Sequence, residues 1–378
     1  MLKRLVITTG GTGGHIFPAL AVAEKVREMR PECEVIFVGG EYGPEKRLAE
    51  KEGLQFMGLP ARGIMGRGFK SVGALLRMGR SLLKALSLLR RLRPDAVLGF
   101  GGYAGFAPVL AGKWLGIPTA IHEQNSLPGM TNRVLGKRVD LVFLSFPDSY
   151  RQFDPKKVRV FGNPVRKAVS ESFKLRKSTG RGKNLLVLGG SQGARGINQA
   201  VIACLAELRE QGVKIWHQAG EQDFEEVNQK YEQVHPQARV DKFIEDMAEA
   251  YAFADLVLCR AGATTLAELC MAGKPSVLVP FPYATHNHQL NNARYLEDAG
   301  AAMVLMQSYL EEVNLATLIG DLFGARQKLA DMAASAKTLG NPNAAADILQ
   351  ELEGTTQDSG GRAGPGGKRK SAENRTRQ

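Results

Sequence analysis

The residues best placed to do chemistry open the chain: Ile7-Thr-Thr-Gly-Gly-Thr-Gly-Gly-His15, four glycines and three threonines closed by a histidine. The β-rich run Leu5 to Thr8 precedes the cluster, and from Ala19 onward Ala, Val and Leu recur at helical spacing. The glycines thus sit where a strand meets a helix N-terminus, whose unpaired N–H groups and partial positive charge favour an anion. A tight turn alone is the plainer use of such a cluster. The dinucleotide fingerprint G-x-G-x-x-G fails, because counted from Gly11 and Gly13 its third glycine falls on Ile16. A P-loop also fails, since no G-K-[ST] tripeptide occurs.

Three more clusters repeat this arrangement. GFGGYAGFAP (Gly99 to Pro108) and GGSQGAR (Gly189 to Arg195) each follow a strand-like run and precede a helical one, so the first half of the chain alone carries two anion-ready turns. In RAGATTLAE (Arg260 to Glu268) the small residues Ala261 to Ala263 let a diphosphate approach a helix start. Glu268, one turn further on, is the carboxylate acceptor that a ribose diol wants. Thr265 to Glu268 also fits a capping box, in which Glu268 only closes the helix end.

The elements that must position these loops are strands alternating with helices. Strand-like runs at Val35 to Val38, Ala96 to Leu98, Thr119 to Ile121, Leu141 to Leu144 and Val158 to Phe161 predict one parallel sheet wrapped by helices. After the polar stretch Glu171 to Lys183 the pattern restarts at Leu185 to Leu188. It continues through Lys214 to His217, Val240 to Ile244, Leu256 to Cys259 and Ser276 to Val279. The prediction is an α/β chain of two doubly wound, Rossmann-like domains, residues 1–163 and 164–340. Their glycine loops face a cleft at the C-terminal ends of the strands. A C-terminal helix near 341–352 packs back on the first domain, and 354–378 reads as a disordered basic tail. Trp114 and Phe106 are expected in the core.

Composition excludes several classes. No apolar run approaches the roughly 18 residues of a membrane span, and none near the start suits a secretory signal, so a cytoplasmic chain is expected. Cys33, Cys204, Cys259 and Cys270 show no C-x-x-C spacing and read as buried, reduced thiols. No D-x-D pair occurs, so no metal clamp is expected. The net charge of +12 is uneven: Ala61 to Pro94 carries nine basic residues and no Asp or Glu. Aromatics do not interleave with them, which argues against nucleic acid.

Seven motifs, in order from Leu5 to about Leu349, carry a resemblance: GGTGGH, GFGGYAG, HEQN (His122 to Asn125), GNPVR (Gly162 to Arg166), GGSQGA, AGATTLAE and NHQLNNA (Asn287 to Ala293). The chain resembles the MurG family of peptidoglycan glycosyltransferases. The resemblance implies a GT-B fold, UDP-N-acetylglucosamine as donor, inversion at the anomeric carbon, and the membrane-bound acceptor lipid I, undecaprenyl-diphospho-N-acetylmuramoyl-pentapeptide, converted to lipid II. It implies no cofactor, and it adds other cell-wall synthesis proteins to the partners. By the same resemblance the donor contacts fall on Thr12, Gly13, Gly14, Asn125, Arg166, Ser191, Ile244, the turn Ala263, Thr264, Thr265, Leu266, Ala267, Glu268, and Gln289. Ile244 would hold uracil by its backbone, Glu268 the ribose, Ser191 with the Ala263 and Thr264 amides the diphosphate, and Gln289 the sugar hydroxyls. The acceptor diphosphate would sit at Gly13, Gly14, Gly101, Gly102 and Tyr103. Asn287 stands where many members have an acid.

An inverting transfer needs a base for the acceptor hydroxyl and positive groups on the leaving diphosphate. His15, at the end of the first glycine loop, is the first choice for the base, because imidazole titrates near neutrality; Glu123 is the second. Arg166 and helix N-termini would neutralise the leaving group. A structural histidine bonded to a neighbouring loop is the alternative for His15. An NAD-dependent oxidoreductase, a non-hydrolysing UDP-sugar epimerase and a glycolipid galactosyltransferase are the competing enzymes. The first lacks its glycine, and product analysis separates the other two.

For the lipid acceptor, Leu75, Leu82, Leu86 and Leu89 share one face of a helix over Val72 to Leu92, with Arg77, Arg80, Lys84 and Arg91 on another. Beside it, RGIMGRGF presents Ile64, Met65 and Phe69. These residues predict peripheral attachment to the anionic cytoplasmic face of the plasma (inner) membrane. An ordinary amphipathic helix packed on its own sheet is the alternative.

Overall fold

The structure, a computed structural model, describes residues 1–11, 13–60, 72–175, 182–190 and 193–360. The first domain runs β1 (Arg4–Thr8), α1 (Gly13–Met29), β2 (Glu34–Gly40), α2 (Glu45–Lys51), β3 (Gln55–Leu59), α3 (Val72–Leu92), β4 (Ala96–Gly99), α4 (Gly102–Trp114), β5 (Thr119–Glu123), α5 (Met130–Gly136), β6 (Leu141–Leu144) and β7 (Val158–Val160). The second begins with α6 (Lys167–Leu175), β8 (Asn184–Leu188), α7 (Arg195–Ala203), α8 (Leu205–Glu210), β9 (Lys214–Gln218), α9 (Phe224–Val234) and β10 (Arg239–Asp241). It continues with α10 (Met247–Phe253), β11 (Leu256–Cys259), α11 (Ala263–Ala272), β12 (Ser276–Leu278), α12 (His288–Asp298), β13 (Ala302–Val304), α13 (Leu315–Gly324) and α14 (Arg326–Leu339). α15 (Ala344–Gly360) is the last described element.

Both sheets are parallel throughout, in the order β3-β2-β1-β4-β5-β6-β7 and β10-β9-β8-β11-β12-β13. Each is buried on both faces, which is why its central strands read as unbroken apolar runs. Leu5 and Ile7 join one core layer and Val6 the opposite one, and in the second domain Leu185 and Val187 part in the same way from Leu186 and Leu188. In each sheet the strand order reverses at one point, between β1 and β4 and between β8 and β11. The loops that leave those four strands are the four glycine-bearing clusters, so all four lie where open α/β sheets take ligands.

Some expectations are corrected. β3 and β13 are extra strands, one at an edge of each sheet, and β10 stops at Asp241 rather than Ile244. Trp114, last residue of α4, is 60% exposed, because the helix end carries it past the core. α15 continues to Gly360, beyond the Gly354 where the tail was expected to begin; residues 361–378 lie outside the described residues. Ala345, Ile348, Leu349 and Leu352 of α15 pack into the first domain's core, and Glu353 pairs with Arg30 at 2.7 Å.

α3 also departs from expectation. Leu89 is buried, and Leu82 and Leu86 pack against the first domain's core, so Leu82 faces the sheet and not a membrane. Among its described side chains, the large apolar residues α3 exposes are Leu76, Met78 and Leu83, interleaved with the exposed Arg77, Arg80 and Lys84. Lys84 Nζ lies 2.6 Å from Glu41 Oε1, so a run without acids in sequence finds one in space. Ile64, Met65, Phe69 and the Leu75 side chain lie outside the described residues. No described helix is long and apolar enough to cross a membrane. The four cysteines are free and buried, and burial raises the thiol pKa of each.

Candidate active site

The first domain's two loops are locked together by their glycines. A Cβ on Gly10 would fall 2.7 Å from Ala104 Cβ, and one on Gly102 would collide with the Gly10 carbonyl oxygen. Gly101 and Gly102 hold φ of +85° and +73°, a region side chains disfavour. Gly11, at φ +107°, donates its N–H to the buried carboxylate of Glu45 at 2.8 Å. Thr12 lies outside the described residues. Gly13, Gly14 and His15 form the first turn of α1, Gly102 and Tyr103 that of α4, and Gly101 lies beside His15 Cε1. Two helix N-termini therefore converge where acceptor contacts were expected.

Pro18 shapes the other side of this turn. It has no N–H to give the carbonyl four residues back, so the Gly14 oxygen lacks its helical donor. Thr264 Oγ1 of the second domain approaches that oxygen at 3.5 Å. The first turn of α11 is thus brought against that of α1 across the cleft, which puts two helix N-termini, each favourable to an anion, close together.

Behind that wall, His15 Nδ1 lies 2.7 Å from Gln124 Oε1. Glu123, the other candidate base, is 1% exposed, and both its oxygens are engaged. Oε1 accepts from the Asn125 N–H and Nδ2, and Oε2 from the Gly129 N–H and Asn132 Nδ2. Four donors match the lone-pair sites of a carboxylate, so Glu123 braces its loop and has no acceptor site left for a hydroxyl proton. Asn125 is drawn to the other domain: its Oδ1 accepts from Asn292 Nδ2 at 3.2 Å, and Asn292 Oδ1 accepts the Ser126 N–H at 2.9 Å. Asn292 is fully buried.

In the second domain α11 is capped by Gly262 with no side-chain capping bond. The capping box is absent, and Glu268 Oε2 instead accepts from the Tyr251 hydroxyl at 3.0 Å. Desolvation pushes the Glu268 carboxyl up to about 7, opposed by the Tyr251 hydrogen bond and the nearby Arg166 charge. Arg166 lies 4.8 Å above the Phe17 ring of α1. Ile244 is buried, with its N–H given to Gln218 Oε1 at 3.1 Å. Gln289 Oε1 accepts the Phe281 N–H at 2.9 Å, which leaves its amide hydrogens for another partner. Asn287 caps α12 at φ +54°, a conformation Asn tolerates better than most residues. Ser191 lies outside the described residues. Ala263, Thr265, Leu266 and Ala267 line the first turns of α11, with Ala263 and Leu266 buried. Among the described residues no cluster of three metal-ligating side chains occurs.

Sequence reasoning gave no role to Gln124, Asn132, Asn292, Tyr251 or Glu45. Gln124 and Asn292 lay inside quoted motifs, and polar residues directly after an apolar strand or within an apolar helix face were the available signal.

Residues 5–144 match the glycosyltransferase family 28 N-terminal domain and residues 184–352 its C-terminal domain. The chain is similar to the UDP-N-acetylglucosamine–N-acetylmuramyl-(pentapeptide) pyrophosphoryl-undecaprenol N-acetylglucosamine transferase of Nitratidesulfovibrio vulgaris, 51% identical over 93% of this chain and 97% of that one. A crystal structure of Acinetobacter baumannii MurG is similar at 32% identity and TM-score 0.75, covering 93% of this chain and 99% of that one. A putative UDP-N-acetylglucosamine 2-epimerase from Listeria monocytogenes, at 14% identity and TM-score 0.67, covers 94% of this chain and 97% of its own and shares the fold.

Proposed function

The chain belongs to glycosyltransferase family 28, and from that premise we propose that it moves N-acetylglucosamine from UDP-N-acetylglucosamine to the C4 hydroxyl of lipid I, giving lipid II for peptidoglycan. The observation that carries the reading is the convergence of α1 and α11 at Gly14 and Thr264, with His15 in the same turn. Two helix N-termini and the nearby Arg166 suit a diphosphate that gathers charge as it leaves. In the transfer the acceptor oxygen bonds to C1 of the sugar, the bond from C1 to the diphosphate oxygen breaks, and its electron pair leaves with UDP. The hydroxyl proton passes to His15. Glu268 takes the ribose hydroxyls, Ile244 the uracil and Gln289 the sugar, while Gly13, Gly14, Gly101, Gly102 and Tyr103 hold the acceptor diphosphate. These charges are organic, so transfer proceeds without a metal.

The acceptor is lipid, and the exposed strip Leu76, Arg77, Met78, Arg80 and Leu83 on α3 supports peripheral attachment to an anionic cytoplasmic membrane face. Incubation of labelled UDP-N-acetylglucosamine with a lipid I analogue tests the reading: a disaccharide-lipid product, formed equally in excess chelator, is expected. Release of a 2-epimer with no transfer would overturn it in favour of an epimerase, and transfer that needs added Mg²⁺ or Mn²⁺ would overturn the metal-free displacement.

A further inference from the structure

Four groups form a hydrogen-bonded file behind the cleft. It starts at the Gly162 carbonyl, in the segment that joins the domains, passes through His122 and Gln124, and ends at His15. His122 Nε2 lies 3.1 Å from the Gly162 oxygen. Gln124 Nε2 lies 3.1 Å from both His122 Nδ1 and the His122 main-chain oxygen. Gln124 Oε1 lies 2.7 Å from His15 Nδ1. His122 and Gln124 are 0% and 1% exposed, and Phe100 packs against the His122 ring at a centroid distance of 5.3 Å.

Every proton in this file is dictated by its ends. The Gly162 oxygen only accepts, so His122 carries its proton on Nε2. Burial lowers the His122 pKa to about 4, so near neutrality the ring is uncharged and Nδ1 is a bare acceptor. The His122 main-chain oxygen also only accepts, which turns the Gln124 amide nitrogen toward it and gives its second hydrogen to His122 Nδ1. The Gln124 oxygen is left facing His15, and a bond of that length requires the hydrogen to be on His15 Nδ1.

We propose that Gln124, oriented by His122 and the Gly162 carbonyl, is a positioning residue that fixes His15 in its Nδ1–H form and leaves Nε2 as the bare nitrogen that takes the acceptor's proton. The proposal rests on the reading of His15 as base. The neutral ring of a histidine side chain in water favours the opposite, Nε2–H form, so an unsupported His15 would mostly present a hydrogen where a lone pair is needed. When Nε2 takes the proton, the resulting imidazolium keeps its Nδ1–H on the Gln124 carbonyl. A neutral amide in this place orients the base without holding a permanent negative charge beside the diphosphates.

The test is ¹⁵N NMR of the histidine rings in the full chain, assigned with His15→Ala. In the wild-type protein His15 should show a protonated Nδ1 and a bare Nε2; the reverse pattern overturns the proposal with no need of a variant. Gln124→Leu should shift His15 toward Nε2–H and lower kcat by about tenfold to a hundredfold. KM for UDP-N-acetylglucosamine should stay within about twofold. A Gln124→Leu protein that is folded by circular dichroism and keeps full kcat would overturn the proposal. Unimpaired turnover in His15→Ala removes the base reading instead, and is told apart because the NMR tautomer is read independently of turnover.

Discussion

The two walls of the cleft are built from the same strand–loop–helix unit but charged differently. On the first-domain wall the groups in line with His15 are neutral: the Gly162 carbonyl, the His122 ring and the Gln124 amide form the file, while the Glu45 and Glu123 carboxylates are taken up in bracing the neighbouring loops. On the second-domain wall a desolvated carboxyl, Glu268, stands near the Arg166 cation. The difference separates labours. On the proposed reading the base is oriented by neutral dipoles, while the ribose and the leaving diphosphate meet ionisable side chains, Glu268 and Arg166.

This contrast is broken most directly at His15. His15→Ala should reduce kcat by about 10²- to 10⁴-fold, the usual worth of general-base catalysis, while UDP affinity measured by calorimetry is nearly unchanged. Equal losses in both would mean that the walls do not divide the work. On the opposite wall, Glu268→Gln should weaken UDP binding by about 1 to 3 kcal/mol, as for a lost charge-assisted hydrogen bond. A variant with wild-type UDP affinity and a lowered melting temperature would return Glu268 to a structural role.

A subtler separation comes from pH. The folded-state pKa of Glu268, about 7, lies above its ordinary 4.5, so between these values the folded protein binds more protons than the unfolded chain. Glu268 should therefore make the unliganded protein lose stability as pH rises from about 4.5 to 7, and contribute no further change above that. UDP affinity should rise over the same interval, because the diol needs the ionised carboxylate. Glu268→Gln should flatten its share of both curves, read by thermal melts and calorimetry across that range. The smallest effect lies away from the walls: Arg77→Glu with Arg80→Glu should weaken binding to anionic vesicles by roughly 1 kcal/mol per basic residue removed, with UDP affinity untouched. Unaltered sedimentation with vesicles would make α3 an ordinary surface helix.

The central strands were legible because a strand buried on both faces leaves an unbroken apolar run, as in Leu5 to Thr8 and Leu256 to Cys259. β3 and β13 were not, because both are edges: Gln55-Phe-Met-Gly-Leu59 carries a glycine, and Ala302-Met-Val304 is three residues after Gly300. The same holds for the site. Its loops are visible as glycines, since backbone contact between Gly10 and Gly102 forbids anything larger. The partners are not, because Tyr251 meets Glu268 from another helix and Gln124 meets His15 across 109 positions of chain. Periodicity reports which face of an element is buried, and says nothing about which of two distant polar groups will share a proton.

The second domain is spliced into the first. The two crossings of chain, at Phe161 and at Asn341, lie side by side, with Asn341 Nδ2 donating to the Phe161 oxygen at 2.8 Å. β1 and α15 both belong to the first domain, joined by the Leu2 N–H and Arg30 on Glu353. Mechanical load applied between β1 and α15 is thus borne by the first domain and does not stretch the second. The second domain is therefore tied to the first by two adjacent crossings of chain, and the pairs Thr264 with Gly14 and Asn292 with Asn125 add contacts across the cleft.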